Sequence, residues 1–152
     1  LRFRISSHLT FFFLFQHSRH SYFCFRHQEG EEGGATTAIA ISNNGYHIAA
    51  GHESGTVRFW DLRKQKVVAT LDKQLESPIR TVAFDRAGKY AAFGGKGGVK
   101  ITKIKEWGTT GSLDTKHPVT GIVWSNSKSS DSVLEVSCDG ERAVQLFGAP
   151  PS

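Results

Sequence analysis

Beyond residue 33 the chain lays out as rows of short apolar runs separated by polar, glycine-bearing turns. The first row is "TTAIAISNNGYHIAAGHESGTVRFWDLRKQKVVATL" and the second "IRTVAFDRAGKYAAFGGKGGVKITKIKEWGTTGSL". The third, "VTGIVWSNSKSSDSVLEVSCDGERAVQLFG", is shorter. Ile41, Phe84 and Trp124 fall at matching places, 43 and then 40 residues apart. Each row predicts a first strand (Ala38–Ser42, Thr81–Asp85, Gly121–Ser125) and a second (His47–Gly51, Tyr90–Gly94, Val133–Ser137). A third strand follows a turn at Gly55, Gly98 or Gly140: Val57–Leu62, Val99–Ile104 and Ala143–Phe147. The first two rows close on a fourth, Val67–Leu71 and Thr109–Leu113, for which the third row has no room. The expectation is an all-β chain.

Four short antiparallel strands repeating about every 40–45 residues describe propeller blades stacked face to face. Stacking explains why the alternation is imperfect, since both faces of many strands are covered. Small residues such as Ala49, Ala50, Ala91 and Ala92 suit the crowded second strand. The predicted division is an extraneous, unstructured segment 1–33 and a partial propeller 34–148, followed by a tail 149–152. The blades are placed at about 36–71, 79–113 and 119–147.

The composition breaks near residue 30. Seven of the eleven Phe lie in residues 1–25, four of the seven His lie in residues 1–27, and every Gly comes after Glu29. Residues 1–28 hold Arg2, Arg4, Arg19 and Arg26 and no acid, so most of the net charge of +5 sits there. The rest carries 15 basic and 14 acidic side chains, which removes the charge argument for a nucleic-acid partner. The absence of Met leads us to expect a fragment or an incomplete reading frame. No apolar run approaches the ~20 residues that span a bilayer, and "LTFFFLF" at 9–15 is only the size of a signal-peptide core, so the expectation is a soluble chain. Cys24 and Cys138 are too few and too far apart for a disulfide framework. His17, His20, Cys24 and His27 are zinc-type ligands, but one short cluster lacks the paired knuckles of a structural site, and unpacked sequence is the preferred reading.

"VRFWDL" resembles the signature that closes the third strand of a WD-repeat blade, with Trp60 and Asp61 at the signature positions. In that family the Trp joins a hydrogen-bond chain with a strand Ser/Thr, a turn Asp and a loop His. Ser54 stands where the turn Asp is usual. The third row keeps His117, Ser137 and an acid (Asp139 or Glu141), with Phe147 near the Trp place. No row carries all four positions, so the period carries the assignment. Within the WD repeats, "NNGYHIAAGHESGTVRFWDLRKQKVVATL" followed by "FDRAGKYAAFGG", with "IKEW" and "HPVTGIVW" beyond, is similar to the final blades of the pre-mRNA-processing factor 19 family. The likeness covers about residues 36–148. It departs at "SNSKSSDSVLEVS" and in lacking a loop His before the first row.

That resemblance implies a parent with an N-terminal U-box, a tetramer-forming coiled coil and a seven-bladed propeller. The implied parent is a nuclear ubiquitin ligase and scaffold of pre-mRNA splicing and DNA repair. Its protein partners would be spliceosome-associated subunits and ubiquitination substrates, with no cofactor. Neither U-box nor heptad helix is legible here, and under three blades are present. Such an open stack is expected to be marginal or aggregation-prone alone. Two other readings compete: a WD-repeat adaptor of another complex, and a non-functional truncated product.

Enzyme chemistry finds little support. "FGGKGGVKIT" lacks the G-x4-G-K-[ST] spacing and leads to a strand instead of a helix, so it reads as a turn. No catalytic, cofactor or metal residue is assigned. Lys96, Lys100, Lys103 and Lys105 lie on or beside one strand, where solvated lysines that deter edge pairing are preferred over phosphate contacts. Partner-contacting residues cannot be read from the pattern, because propellers bind through variable loops.

Overall fold

The computed structural model describes residues 10–15, 21–26, 34–126, 132–141 and 144–148, and divides the chain into two units, Leu1–Glu32 and Gly33–Ser152. The first unit contains one antiparallel hairpin, β1 (Thr10–Phe15) against β2 (Ser21–Arg26). The sequence reading expects no regular structure there, because an unbroken aromatic run offers no period to read. His17, His20 and His27 lie outside the described residues, as does the Cys24 side chain.

The second unit is all antiparallel β. A first four-stranded sheet runs in order through β3 (Thr36–Ile41), β4 (His47–His52), β5 (Val57–Asp61) and β6 (Lys66–Leu71). The second repeats the plan with β7 (Thr81–Phe84), β8 (Tyr90–Gly95), β9 (Gly98–Lys103) and β10 (Thr109–Leu113). The third has three described strands, β11 (Val119–Asn126), β12 (Ser132–Cys138) and β13 (Val144–Gly148). Each is a meander in sequence order, the topology of a propeller blade. Every residue of β4 is buried, and so is β8 after Tyr90. Both faces of these second strands are covered, which is why their sequences do not alternate.

Two apolar layers hold the blades together. Between the first and second lie Val57, Phe59, Ile79, Phe84, Phe93 and Ile104, with Phe59 and Phe93 wholly buried and Phe59 edge-on to Phe84 at 6.2 Å. Between the second and third lie Ala92, Val99, Val119, Ile122, Leu134 and Val136. Cys138 packs in this second layer, where burial pushes its thiol pKa up and keeps it protonated and unreactive.

The closest approaches in both layers fall on glycines. A Cβ added to Gly51 on β4 would lie 2.3 Å from Cγ2 of Ile79, the residue that leads into the second blade. A Cβ on Gly94 of β8 would lie 2.9 Å from Cγ1 of Val119, the residue that opens the third. Ile79 and Val119 both follow a proline, Pro78 and Pro118, and both are fully buried. Each blade therefore seats a β-branched side chain of the next blade in a hole that only glycine leaves open. A third glycine serves a turn. Gly55, at φ 80°, faces the Leu75 carbonyl, which a Cβ would meet at 1.8 Å, and its own carbonyl accepts from the Gln74 amide at 3.0 Å.

Filling the hole should cost more than the loss of a glycine's flexibility can return. Gly51→Ala is expected to destabilise the chain by about 1–3 kcal/mol in urea titration. Gly108→Ala, where an added Cβ meets nothing within 4 Å, should stay within about 0.5 kcal/mol of the parent. Truncating the wedge itself, Ile79→Ala, should cost about 2–5 kcal/mol.

Candidate partner-binding face

In a meander, alternate turns lie on the same edge of the sheet, so the two repeated blades present two rims. One rim carries the turns 42–46, 62–65, 85–89 and 104–108. The other carries 53–56, the inter-blade connection 72–80, the turn 96–97 and the connection 114–118. The turns on the first rim are bonded to each other within each blade. The Leu62 amide donates to the Tyr46 carbonyl at 2.8 Å, and Ile104 to Lys89 at 2.7 Å.

The rim rests on side chains that terminate strands. The Asp61 carboxylate accepts the amides of Arg63 at 2.9 Å and Lys64 at 3.1 Å, and the Arg63 guanidinium at 3.3 Å. This is why the strand ends in Trp-Asp: the Asp folds the following chain into a turn. The Arg63 guanidinium and the two amides hold the Asp61 carboxyl well below its ordinary 3.8, at about 2. One turn earlier, Ser42 accepts the His47 amide at 3.0 Å and donates to the Asn44 side chain at 2.7 Å. In the second blade Asp85, 43 residues on, does the same work with the amides of Lys89 at 2.7 Å and Tyr90 at 2.8 Å.

Trp107 supplies an anchor that the sequence does not reveal. It adopts φ 56°, two residues after Lys105 at φ 81°, and this left-handed backbone turns the indole back against the inter-blade core. Its ring lies 5.0 Å from Phe59 and 5.9 Å, edge-on, from His47. Buried Thr102 holds the turn by donating to the Gly108 carbonyl at 2.8 Å. His47 is 8% exposed and its Nδ1 has no hydrogen-bond partner among the described residues. Burial lowers its pKa. The nearby Asp61 carboxylate opposes that shift, while Arg63, Lys105 and Lys64 reinforce it.

On the surface of this rim, Tyr46 is 44% exposed and the Arg63 guanidinium stacks 4.2 Å above its ring. The rim's turns carry Arg63, Lys64, Arg86, Lys89 and Lys105 against Asp85 and Glu106, so it is basic. On the opposite rim, the same two blades carry Glu53, Asp72, Glu76 and Asp114 against Lys73, Arg80, Lys96 and Lys116, with no excess of either sign. The chain's near-neutral globular charge therefore conceals an asymmetry between rims.

The signature positions are distributed without forming one cluster. Trp60 is partly buried on the face of β5 opposite Phe59, paired with Ile48 and Val67, beside a bulge in the β5–β6 register. No hydrogen bond reaches its indole among the described residues. Ser137 lies across from Gly121 and shares a 3.2 Å hydroxyl contact with Thr120. His117 is exposed, and its carbonyl accepts from Thr115. The tryptophan that does tie blades together by a hydrogen bond is Trp124, whose indole N–H donates to the Ala83 carbonyl at 3.3 Å. The strand lysines do not form one patch. Lys96 sits at one rim and Lys100 within β9, while Lys103 reaches the other rim paired with Glu106 at 2.5 Å. Among the described residues no His, Cys, Asp and Glu set could hold a metal, and no helix is long and apolar enough to cross a membrane.

Two pH dependences follow from this rim. The folded state binds fewer protons at His47 than the unfolded chain does, so stability is complete above its ordinary 6.5 and declines as pH falls below it. A His47→Phe variant should lose that decline in urea titrations run from neutral to mildly acidic pH. Asp61 acts lower. Its contribution is complete above about 3.8 and is lost as pH falls toward about 2, and Asp61→Asn should remove this acid limb.

The relatives of this chain agree with its blades. A family model described as the Vps8 β-propeller matches residues 7–129. Pre-mRNA-processing factor 19 of Oryza sativa subsp. japonica is 31% identical over 121 residues, covering 77% of this chain and 23% of that protein. Pre-mRNA-processing factor 19 homolog 2 of Arabidopsis thaliana is 37% identical over 76 residues, covering 50% of this chain and 13% of that protein. The chain thus spans less than a quarter of the length of either relative. Among solved structures, the Cps50 (Swd1) β-propeller domain of Myceliophteria thermophila superposes with a TM-score of 0.60 at 19% identity, over 79% of this chain and 40% of that one. The chain belongs to the β-propeller family that this model describes, and its WD repeats are similar to those of pre-mRNA-processing factor 19.

Proposed function

We propose that this chain is the partner-binding propeller portion of a pre-mRNA-processing factor 19-like ubiquitin ligase, acting in the nucleus in pre-mRNA splicing and DNA repair. Its role is protein interaction. Conjugation chemistry belongs to a U-box that the chain's similarity to this family implies elsewhere in the parent. The two plant relatives support the splicing assignment through their names and their identity across the blades. The observation that carries the binding role is the basic rim, where Tyr46 stands exposed beneath the Arg63 guanidinium on turns pinned by Asp61 and Asp85. A rigid platform presenting an aromatic and clustered cations suits an acidic segment of a protein partner. The domain division at residue 33 and the structural roles of Trp60, Asp61, His117 and Ser137 belong to this same reading.

An adaptor of another complex is the second reading, supported by a matching family model that takes its description from a different propeller protein. Affinity purification of the tagged chain from nuclear extract separates the two. Splicing-complex subunits should co-purify with the parent chain and fall by about tenfold with Arg63→Glu/Lys64→Glu. Recovery of a different, defined complex would replace the splicing assignment. Equal recovery by the double variant would remove the basic rim from the interface.

A further inference from the structure

On the rim opposite the basic one, the connection 72–80 carries the run Ser77-Pro78-Ile79-Arg80. Leu75 and Ile79 are buried and anchor this connection on either side of Ser77. Ile79 is held further by its amide, which donates to the His52 carbonyl at 3.1 Å, and by its carbonyl, which accepts from Thr37 Oγ1 at 2.5 Å. Between the anchors, Glu76 and Pro78 are exposed and Ser77 is half-buried, and Arg80 is exposed just beyond. The Ser77 hydroxyl makes a two-way clamp on the β8–β9 turn. It accepts from the Lys96 amide at 3.0 Å and donates to the Lys96 carbonyl at 3.1 Å, and both contacts are open to solvent.

The repeat itself does not call for this hydroxyl. Forty residues on, the third blade is entered through His117-Pro118-Val119, with the same proline and the same buried β-branched wedge but an imidazole in place of the serine. The packing duty belongs to Ile79 and Val119. What Ser77 adds is a nucleophilic oxygen beside a proline that offers no backbone N–H, with a cation three residues on. Proline-directed protein kinases select this chemistry. Among the described residues only the clamp on Lys96 holds the hydroxyl, so local opening between the anchors suffices to free it.

We propose that Ser77 is a phosphorylation site for a proline-directed protein kinase, and that its modification releases the connection 72–80 from the β8–β9 turn. The step is a phosphoryl transfer from ATP. A bond forms between Ser77 Oγ and the γ-phosphorus, the bond from that phosphorus to the β,γ-bridging oxygen breaks, ADP leaves, and the hydroxyl proton passes to the kinase's base. The product adds about −1.5 to −2 charge. Its Oγ no longer donates, so the Lys96 carbonyl loses its partner and faces an anion. The exposed Lys96–Gly97 bond, previously held by the clamp, becomes accessible.

The test treats the folded 152-residue chain with a purified proline-directed kinase, Mg²⁺ and ATP, maps the phosphate by mass spectrometry, and follows limited trypsin cleavage after Lys96. Phosphate is expected on Ser77, reduced by about tenfold in Pro78→Ala, whose exposed side chain has no packing duty. Cleavage after Lys96 should accelerate in the phosphorylated chain, and also in Ser77→Ala, which removes the clamp without adding charge. A synthetic peptide of residues 72–84 tests the kinase's taste for the sequence alone. Labelling of the peptide but not the chain overturns the site, because the fold would then withhold the hydroxyl. Absence of label in both overturns it as well, as does label undiminished by Pro78→Ala. Phosphorylation that leaves cleavage at Lys96 unchanged overturns the release.

Discussion

The seating of a β-branched side chain in a glycine hole sets the spacing of the whole stack. Ile79 over Gly51 and Val119 over Gly94 bring each second strand close against the chain that enters the next blade. With that approach fixed, Phe59, Phe84 and Phe93 meet across the first interface and Val99, Ile122 and Leu134 across the second. Dispersion contacts of this kind fall away within an ångström of added separation, so packing of the large side chains depends on the small residues that admit it. The prolines preceding Ile79 and Val119 restrict the chain that delivers each wedge, which lowers the entropy cost of placing it.

Against this rigid stack the rims are held by polar rather than apolar contacts. Ser42, Asp61 and Asp85 each satisfy the amides that a reversing strand leaves open, and Ser42 and Asp85 do so with different chemistry at equivalent places in successive blades. Trp107 is the exception, an aromatic wedge driven from the rim into the core and covering His47 and Phe59. Its left-handed backbone is strain that the packing of the indole offsets. One consequence is that the basic surface and the hydrophobic interior are mechanically joined at this point, with a neutral, buried histidine between them.

The two rims differ in character because their turns descend from different strand ends, and nothing in the blade plan requires them to match. Residues outside the inter-blade layers, such as Arg63, Lys64 and Arg86, set the charge of one, while the other carries a serine clamp and mixed charges. Function on a propeller resides in such positions, where side chains vary at no cost to the stack.

The sequence by itself determined the period, the all-β character and the order of the strands, because a row of 40 or so residues repeats its own pattern of apolar runs and glycine turns. It also made Asp61 legible at the close of a third strand, and the turn that Asp61 forms there is local chemistry. Other features had to await neighbours. Gly51 and Gly94 read only as the ends of second strands until another blade's side chain is brought against them, and Trp107 reads as a loop residue until Phe59 is beneath it. Trp124 reads as one more core position, yet its partner is a carbonyl 41 residues away on the preceding blade. Lys96 and Lys103 look like one stripe until the strand carries them to opposite rims. Local pattern fixes what each segment becomes. Which faces meet, and which side chains stay in water, is decided by stacking, because that contact joins residues a whole repeat apart.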